Sequence, residues 1–369
     1  MTKREQIQKD ALDIALKHKR CGLGISMGVG KTLIGLKYYD HYRGLDKKVR
    51  VLVVAPKLSI FDSWRSDAEK FNIDISNIKF STYLSLNKEN PHQYDVVILD
   101  ECHSLLNSSL VFLEPYEGRI LGLTGTPPRY ENSEKGSLVF KYCPILYHYI
   151  TDDAVEDSIL NDYKIMVHRL DMSGKNDVLV KMKNNTFYTS EKKNYAYWTG
   201  RIMEATTKKQ EQIASIMRMK ALMAFRTKEL YIKELLTDIQ DKCIVFCNSQ
   251  DQADRLCKHS YHSGNPNSED NLQSFKDGKI SELSCVLQLN EGVNIPNLKT
   301  GIIMHAYGNE RKSSQRIGRL LRLNPDETSI IHILCYKDSV DEKWVIEALK
   351  DFDQSKIKYF DIDDTTFRR

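Results

Sequence analysis

Ser26-Met27-Gly28-Val29-Gly30-Lys31-Thr32 is the stretch that decides how the first half of this chain folds. The residues just before it, Gly22 to Ser26, read as a strand, and Leu33 to Tyr42 after it read as a helix. The glycines therefore stand where a strand must turn sharply into a helix. A loop of this kind turns its backbone N–H groups inward around phosphate oxygens. Lys31 then places a cation on the β and γ oxygens of a nucleoside triphosphate, and the Thr32 hydroxyl is a ligand for Mg²⁺. Ile25 occupies the place of the first glycine in the common form of the pattern.

Working outward, a helix from about Arg4 to Lys19 precedes the loop, and further β-rich runs follow at Val49 to Ala55, Val96 to Asp100 and Ile120 to Thr124. Strands alternating with amphipathic stretches predict a parallel sheet covered by helices. The run Val96-Val97-Ile98-Leu99 delivers Asp100-Glu101-Cys102-His103 to its C-terminal end, where ligands bind in open parallel sheets. Two adjacent carboxylates there divide the work. Asp100 holds Mg²⁺ directly or through water, and Glu101 orients and deprotonates the water that attacks the γ-phosphate.

A second series of strands is expected near Cys243 to Cys247, Ser284 to Leu287, Gly301 to Met304 and Ser329 to Leu334. The 369 residues thus hold two α/β domains, each large enough to bury its own core. In the second, Gln315, Arg319 and Arg322 recur at intervals of four and three, so a helix there sets all three on one face. An arginine brought to a bound triphosphate stabilises transition-state charge and is worth ~10³ to 10⁵ in rate.

Hydrophobic residues make up 41% of the chain and charged ones 28%, the balance of a globular protein. No apolar run approaches the ~20 residues of a membrane span. The N-terminus mixes charges of both signs where a signal peptide needs an apolar run. The eight cysteines are scattered without a CxxC pair, so a structural zinc is not expected and reduced thiols are. The net charge of +4 conceals an asymmetry: residues 181–233 carry twelve Lys or Arg against four Glu, so the remainder is net acidic. Asn161 to Leu170 reads as a strand, and Arg201 to Leu236 carries apolar residues at helical intervals. Phe187, Tyr188, Tyr195, Tyr197 and Trp198 lie near Lys181, Lys183, Lys192, Lys193 and Arg201. Those rings either stack bases beside phosphate-binding cations or pack the segment against the second domain.

The phosphate loop, the acidic box and Gln315-Arg316-Ile317-Gly318-Arg319-Leu320-Leu321-Arg322 together resemble the superfamily 2 helicases of the DExH-box type, over most of the chain outside the basic segment. Val53-Val54-Ala55-Pro56-Lys57 followed by Trp64, Ser81-Thr82-Tyr83, Thr124-Gly125-Thr126-Pro127, Ile244-Val245-Phe246-Cys247-Asn248 and Asn290-Glu291-Gly292-Val293-Asn294-Ile295-Pro296 are similar to further motifs of that superfamily. The segments around Trp64 and Asp100 resemble Swi2/Snf2-type translocases. DSILNDYK and LNEGVNIP resemble phage recombination helicases and restriction-enzyme motors. The resemblance implies two tandem RecA-like domains, 1–148 and 149–369, with a mostly helical basic insertion at about 171–230.

It implies a catalytic set of Lys31, Asp100, Glu101, His103, Gln315, Arg319 and Arg322, with Thr32 and Asp100 at the metal. The implied ATP-binding set is Gln8, read as an adenine-recognising glutamine, with Met27, Gly28, Val29, Gly30, Lys31, Thr32, Gly292 and Asn294. Pro56, Lys57, Thr82, Tyr83, Thr124, Thr126 and Asn248 are the implied nucleic-acid contacts. Asn294 replaces an aspartate that often contacts ribose, and Val286 stands near the place of a strand-contacting threonine. Such proteins close two lobes over ATP and advance a strand. The expectation is an ATP- and Mg²⁺-dependent motor, acting as a monomer on DNA rather than RNA, away from membranes, in the cytoplasm of a bacterial or phage-infected cell. A duplex translocase without conventional unwinding and an ATP-switched binding module are the alternatives. Strand and triplex displacement assays separate them.

Overall fold

The computed structural model describes residues 1–26, 28–128, 130–182, 185–286, 295, 297–306, 327–350 and 352–363. They divide into two compact units, the first Met1–Asp162 and the second holding nearly all that follows. Each unit is built on a mainly parallel sheet.

In the first unit, α1 (Lys3–Lys17) begins with a capping box in which Thr2 Oγ1 accepts from Glu5 N and Glu5 accepts from Thr2 N. There follow β1 (Arg20–Ile25), α2 (Lys31–Leu45), β2 (Val51–Ala55), α3 (Ile60–Lys70), β3 (Ile78–Thr82), β4 (Val96–Asp100), α4 (Leu110–Leu113), β5 (Arg119–Thr124), α5 (Glu134–Tyr142), β6 (Ile145–Tyr149) and α6 (Thr151–Glu156). The strand order is β3-β2-β4-β5-β1-β6, with every pairing parallel. Central strands β2 and β4 are buried at every position, which suits the unbroken apolar runs VLVVA and VVIL that precede Pro56 and Asp100. Edge strands β3 and β6 alternate between burial and exposure. That mixed pattern left both out of the strands expected from sequence.

The boundary expected at 148/149 falls later in the structure. Ser26 N donates to Tyr149 O at 2.8 Å, Ser26 Oγ lies 3.1 Å from Thr151 Oγ1, and Lys3 pairs with Asp157 at 3.3 Å. These bonds tie residues 149–157 to the phosphate loop and to α1.

The second unit contains β7 (Asp162–Leu170), β8 (Val178–Met182), β9 (Asn185–Thr189), α7 (Glu191–Met203), α8 (Lys208–Ala224), α9 (Thr227–Asp238), β10 (Cys243–Cys247), α10 (Gln250–Leu256), β11 (Ser260–Tyr261), α11 (Ser268–Lys276), β12 (Glu282–Val286), β13 (Thr300–Ile303), β14 (Thr328–Tyr336), α12 (Val340–Leu349) and β15 (Ile357–Ile362). The sheet order is β11-β12-β10-β13-β14-β7-β15. The insertion is not helical throughout: it opens with the antiparallel hairpin β8–β9, in which Leu179 faces Tyr188, and only then forms the α7–α8 pair. A hairpin repeats every two residues, so the helical spacing of the later residues gave no sign of it.

A buried polar knot joins the insertion to this unit. Lys228 Nζ sits 2.6 Å from Asp341 Oδ2 and donates to Met304 O and Leu334 O at 2.9 and 3.0 Å. On either side of it, Glu191 accepts from Thr227 N and Thr227 Oγ1, and Arg255 pairs with Glu229 at 2.6 Å. Among the described residues no helix is long and apolar enough to cross a membrane, and no group of three or more His, Cys, Asp or Glu is placed to hold a metal ion. All eight cysteines are buried thiols.

Candidate active site

β1 ends at Ile25, and the chain enters α2 through Gly28 at φ +87° and Gly30 at φ +107°. Both lie in the left-handed region that side chains other than glycine adopt with strain. A Cβ on Gly30 would also come within 2.7 Å of Gln8 Nε2. No side chain caps the N-terminus of α2, so its first N–H groups are available to an anion. The loop is braced from α1. Gln8 Nε2 donates to Val29 O at 2.7 Å and Arg4 Nε to the same oxygen at 3.0 Å. Lys31 Nζ donates to Ile25 O at 3.3 Å.

β4 brings Asp100 to the middle of the same sheet. Its Oδ2 accepts the indole N–H of Trp64 at 2.8 Å and its Oδ1 accepts Glu101 N at 3.0 Å. Burial, and then the neighbouring charge of Glu101, lift the Asp100 carboxyl to about 6, while the indole bond and the charge of Lys31 pull it down. Glu101 has φ +51°, a left-handed conformation that costs a non-glycine residue of order 1–3 kcal/mol and persists only where the surroundings enforce it. Its Oε2 is buried and accepts no hydrogen bond. His103 Nδ1 is 3.3 Å from that oxygen but is bonded to Thr124 Oγ1 at 2.8 Å, and Thr124 Oγ1 in turn accepts Thr126 N at 3.1 Å. The His103–Thr124 bond therefore links the acidic box to the end of β5.

Lys31 thus opens the helix after β1, Asp100 ends β4, and Glu101 and His103 lie in the turn that follows it, with Thr32 half-buried in the first turn of α2. Met27, Gly292, Asn294, Gln315, Arg319 and Arg322 lie outside the described residues. Two expected strand contacts need correction. Tyr83 is buried in the first unit's core and its hydroxyl donates to Asp100 O at 2.9 Å. Thr124 is fully buried and occupied by His103 and Thr126. Neither has surface to offer a strand, and both hold the acidic box in place. Pro56, Thr82 and Thr126 are half-buried and Lys57 is exposed, at or just beyond the ends of β2, β3 and β5; Asn248, half-buried, follows β10 in the other unit. Leu58 and Leu84, 71% and 75% exposed beside Lys57 and Thr82, had no sequence signal. Arg4 had one, since it shares a helix face with Gln8 four residues on. The part Trp64 plays as donor to Asp100 needed the fold to become visible.

The family model described as Type III restriction enzyme, res subunit, matches residues 2–129, and that described as Helicase conserved C-terminal domain matches residues 227–324. The DNA 3'-5' translocase XPB2 of Sulfurisphaera tokodaii is 24% identical over 362 residues, covering 89% of this chain and 80% of the relative. Among solved structures, the Type ISP restriction-modification enzyme LlaBIII bound to DNA aligns at TM-score 0.64 and 14% identity over 99% of this chain, which spans 32% of that enzyme. A fragment of a putative HsdR subunit of a type I restriction enzyme from Vibrio vulnificus aligns at 0.62 and 20% over 98% of this chain and 68% of its own. The Hef helicase domain of Pyrococcus furiosus aligns at 0.52 and 14% over 94% of this chain and 97% of its own. With its glycine loop, its DECH box and two parallel-sheet units that fit tandem RecA-like domains, the chain carries a restriction-enzyme res-subunit domain and a helicase C-terminal domain by these matches, which together support a helicase or translocase of superfamily 2.

Proposed function

We propose that this protein is an ATP- and Mg²⁺-dependent motor that acts on DNA as a single chain, coupling hydrolysis to translocation and strand separation. The observation that carries the reading is a buried Glu101 carboxylate oxygen without a hydrogen bond, on the same sheet as a glycine loop whose helix N-terminus is uncapped. An unsatisfied buried acceptor is expensive to keep, and a reacting water is the partner it suits. The N–H groups of residues 28–32 and the Lys31 ammonium hold phosphate oxygens. Asp100 and the Thr32 hydroxyl would hold the metal, and the donor from Trp64 favours the ionised form of the buried Asp100 carboxyl. Mg²⁺, when bound, neutralises charge on the β and γ oxygens. Glu101 takes the proton of the attacking water, oriented from the His103–Thr124 side.

Lys57, Pro56, Thr82, Thr126 and Asn248 contact the phosphodiester backbone, which positions a strand without reading its sequence. DNA as the substrate is supported by the DNA-acting relative and the DNA-bound neighbour. A motor of this kind works where DNA and ATP meet, in the cytoplasm of a bacterial or phage-infected cell. The test is ATP turnover with single-stranded, duplex and forked DNA and with RNA at fixed salt, beside Lys31→Ala. DNA-stimulated turnover that the variant loses is expected. Turnover indifferent to every nucleic acid refutes the motor. Triplex displacement without strand displacement would assign it to duplex translocation.

A further inference from the structure

We infer that the α7–α8 hairpin is a second contact for the DNA backbone, an inference that rests on the motor reading above. The base of the hairpin is anchored. Ser190, Glu191, Leu222, Met223 and Phe225 are buried, and Tyr195 Oη accepts Val340 N at 2.9 Å. From Met203 to Ile213 no residue is buried. At 1.5 Å per residue α8 is roughly 26 Å long, so the connection between the two helices stands well away from that base.

Folding removes charges of both signs from this segment, Lys228 into its pair with Asp341 and two of the carboxylates into partners of their own, and keeps the threefold excess of cations at the surface. Of the four carboxylates in 181–233, Glu191 is consumed by Ser173 N, Thr227 N and Thr227 Oγ1, and Glu229 by Arg255. What the hairpin presents to solvent is Lys192, Lys193, Arg201, Lys208, Lys209 and Lys220 against Glu204 and Glu211, and Glu204 is itself 3.6 Å from Arg201. On α7, Lys193, Tyr197 and Arg201 follow at intervals of four and share a face, with Tyr197 49% exposed between the cations. On α8, Lys209 and Lys220 bracket the exposed Ile213 and Ile216 at intervals of four, three and four. A surface with three times as many cations as carboxylates, carrying an exposed ring between two of them, has the chemistry of a nucleic-acid contact: cations for phosphates and an aromatic face for a base. The other rings divide as the alternatives did. Tyr195 packs under Arg218 at the base, whereas Tyr188 and Tyr197 face solvent.

The experiment uses the whole chain and labelled duplex and single-stranded DNA across a salt series. One variant replaces Lys192, Lys193, Lys208, Lys209 and Lys220 with Gln, and another carries Ile213→Ser and Ile216→Ser. If three of the five lysines meet phosphates, the slope of log affinity against log salt becomes shallower by about 2 to 3 in the lysine variant, with turnover at saturating DNA at the parental level. An unchanged slope overturns the inference. So does weakened self-association in the serine variant together with unchanged DNA binding in the lysine variant, which would assign the hairpin to a second copy of the chain. Failure of the motor reading shows separately, as absence of DNA-stimulated turnover in the parental protein.

Discussion

Lys228→Met should unfold the second unit selectively. The ammonium is wholly buried, 2.6 Å from the equally buried Asp341 carboxylate, and it also donates to the carbonyls of Met304 and Leu334 and lies 5.1 Å from the Tyr336 ring centre. Removing one partner of a buried ion pair leaves an uncompensated charge and costs about 3–5 kcal/mol. For a unit of this size, 1 kcal/mol moves the midpoint by roughly 2–4 °C, so the second unit should melt about 6 to 20 °C lower. Differential scanning calorimetry resolves this if the first unit's transition stays in place. Adding Asp341→Asn removes the stranded charge and keeps an acceptor for Tyr336 N, now bonded to Asp341 Oδ2 at 3.0 Å. The double variant should recover at least half of the loss. A single variant within about 1 kcal/mol of the parent, or a double variant no more stable than the single, would refute the claim that an unpaired buried charge is what destabilises.

Glu101→Gln should lower turnover by ~10² or more while nucleotide binding persists, as expected for loss of a general base, whereas Lys31→Ala should lose both; phosphate release and nucleotide titration read the two separately, and parental turnover in Glu101→Gln would remove it from that role. Because burial and the charge of Glu101 lift the Asp100 carboxyl to about 6 without a metal, and it must be ionised to hold one, Mg²⁺ affinity should fall on the acid side from near that pH downward. Trp64→Phe removes a donor that stabilises the carboxylate, so the acid limb should move to higher pH, and an unmoved limb would contradict the assignment. His168 and His332, 2.9 Å apart and buried, are lowered to about 3 and about 4, chiefly by burial. They charge in the unfolded chain before the folded one, so their contribution is complete above about 6.5 and is lost as pH falls from there toward 4. Together they should remove a few kcal/mol between pH 7 and 5, at up to about 1.4 kcal/mol per pH unit for each. Urea titrations across that range should show the loss, and the double Gln variant should flatten it.

The strand-to-helix turn through Gly28 and Gly30 was legible in the sequence because a turn that sharp needs left-handed backbone, which glycine adopts without strain. VVIL was legible because a doubly buried parallel strand must be continuously apolar. The edge strand IKFST has one face in water and lost that signature. Tyr83 and Thr124 were misread because a polar residue at a strand end looks alike whether it faces a ligand or turns inward. Only the Tyr83–Asp100 and Thr124–His103 bonds distinguish the two. The bond from Trp64 to Asp100 spans 36 residues and three-dimensional packing alone brings it about.

The Glu191–Thr227 bonds decide where this motor can be cut. A cut that removes α7 and α8 but keeps α9 deletes Glu191, which takes from the buried Thr227 its carboxylate partner and loosens the neighbours of Lys228 and Glu229. Splice points inside the helical pair, between Lys193 and Lys220, leave that carboxylate in place. A shortened turn or a foreign module joined there would inherit a foundation already satisfied, so the distal part of the hairpin is the exchangeable portion and its roots belong to the engine.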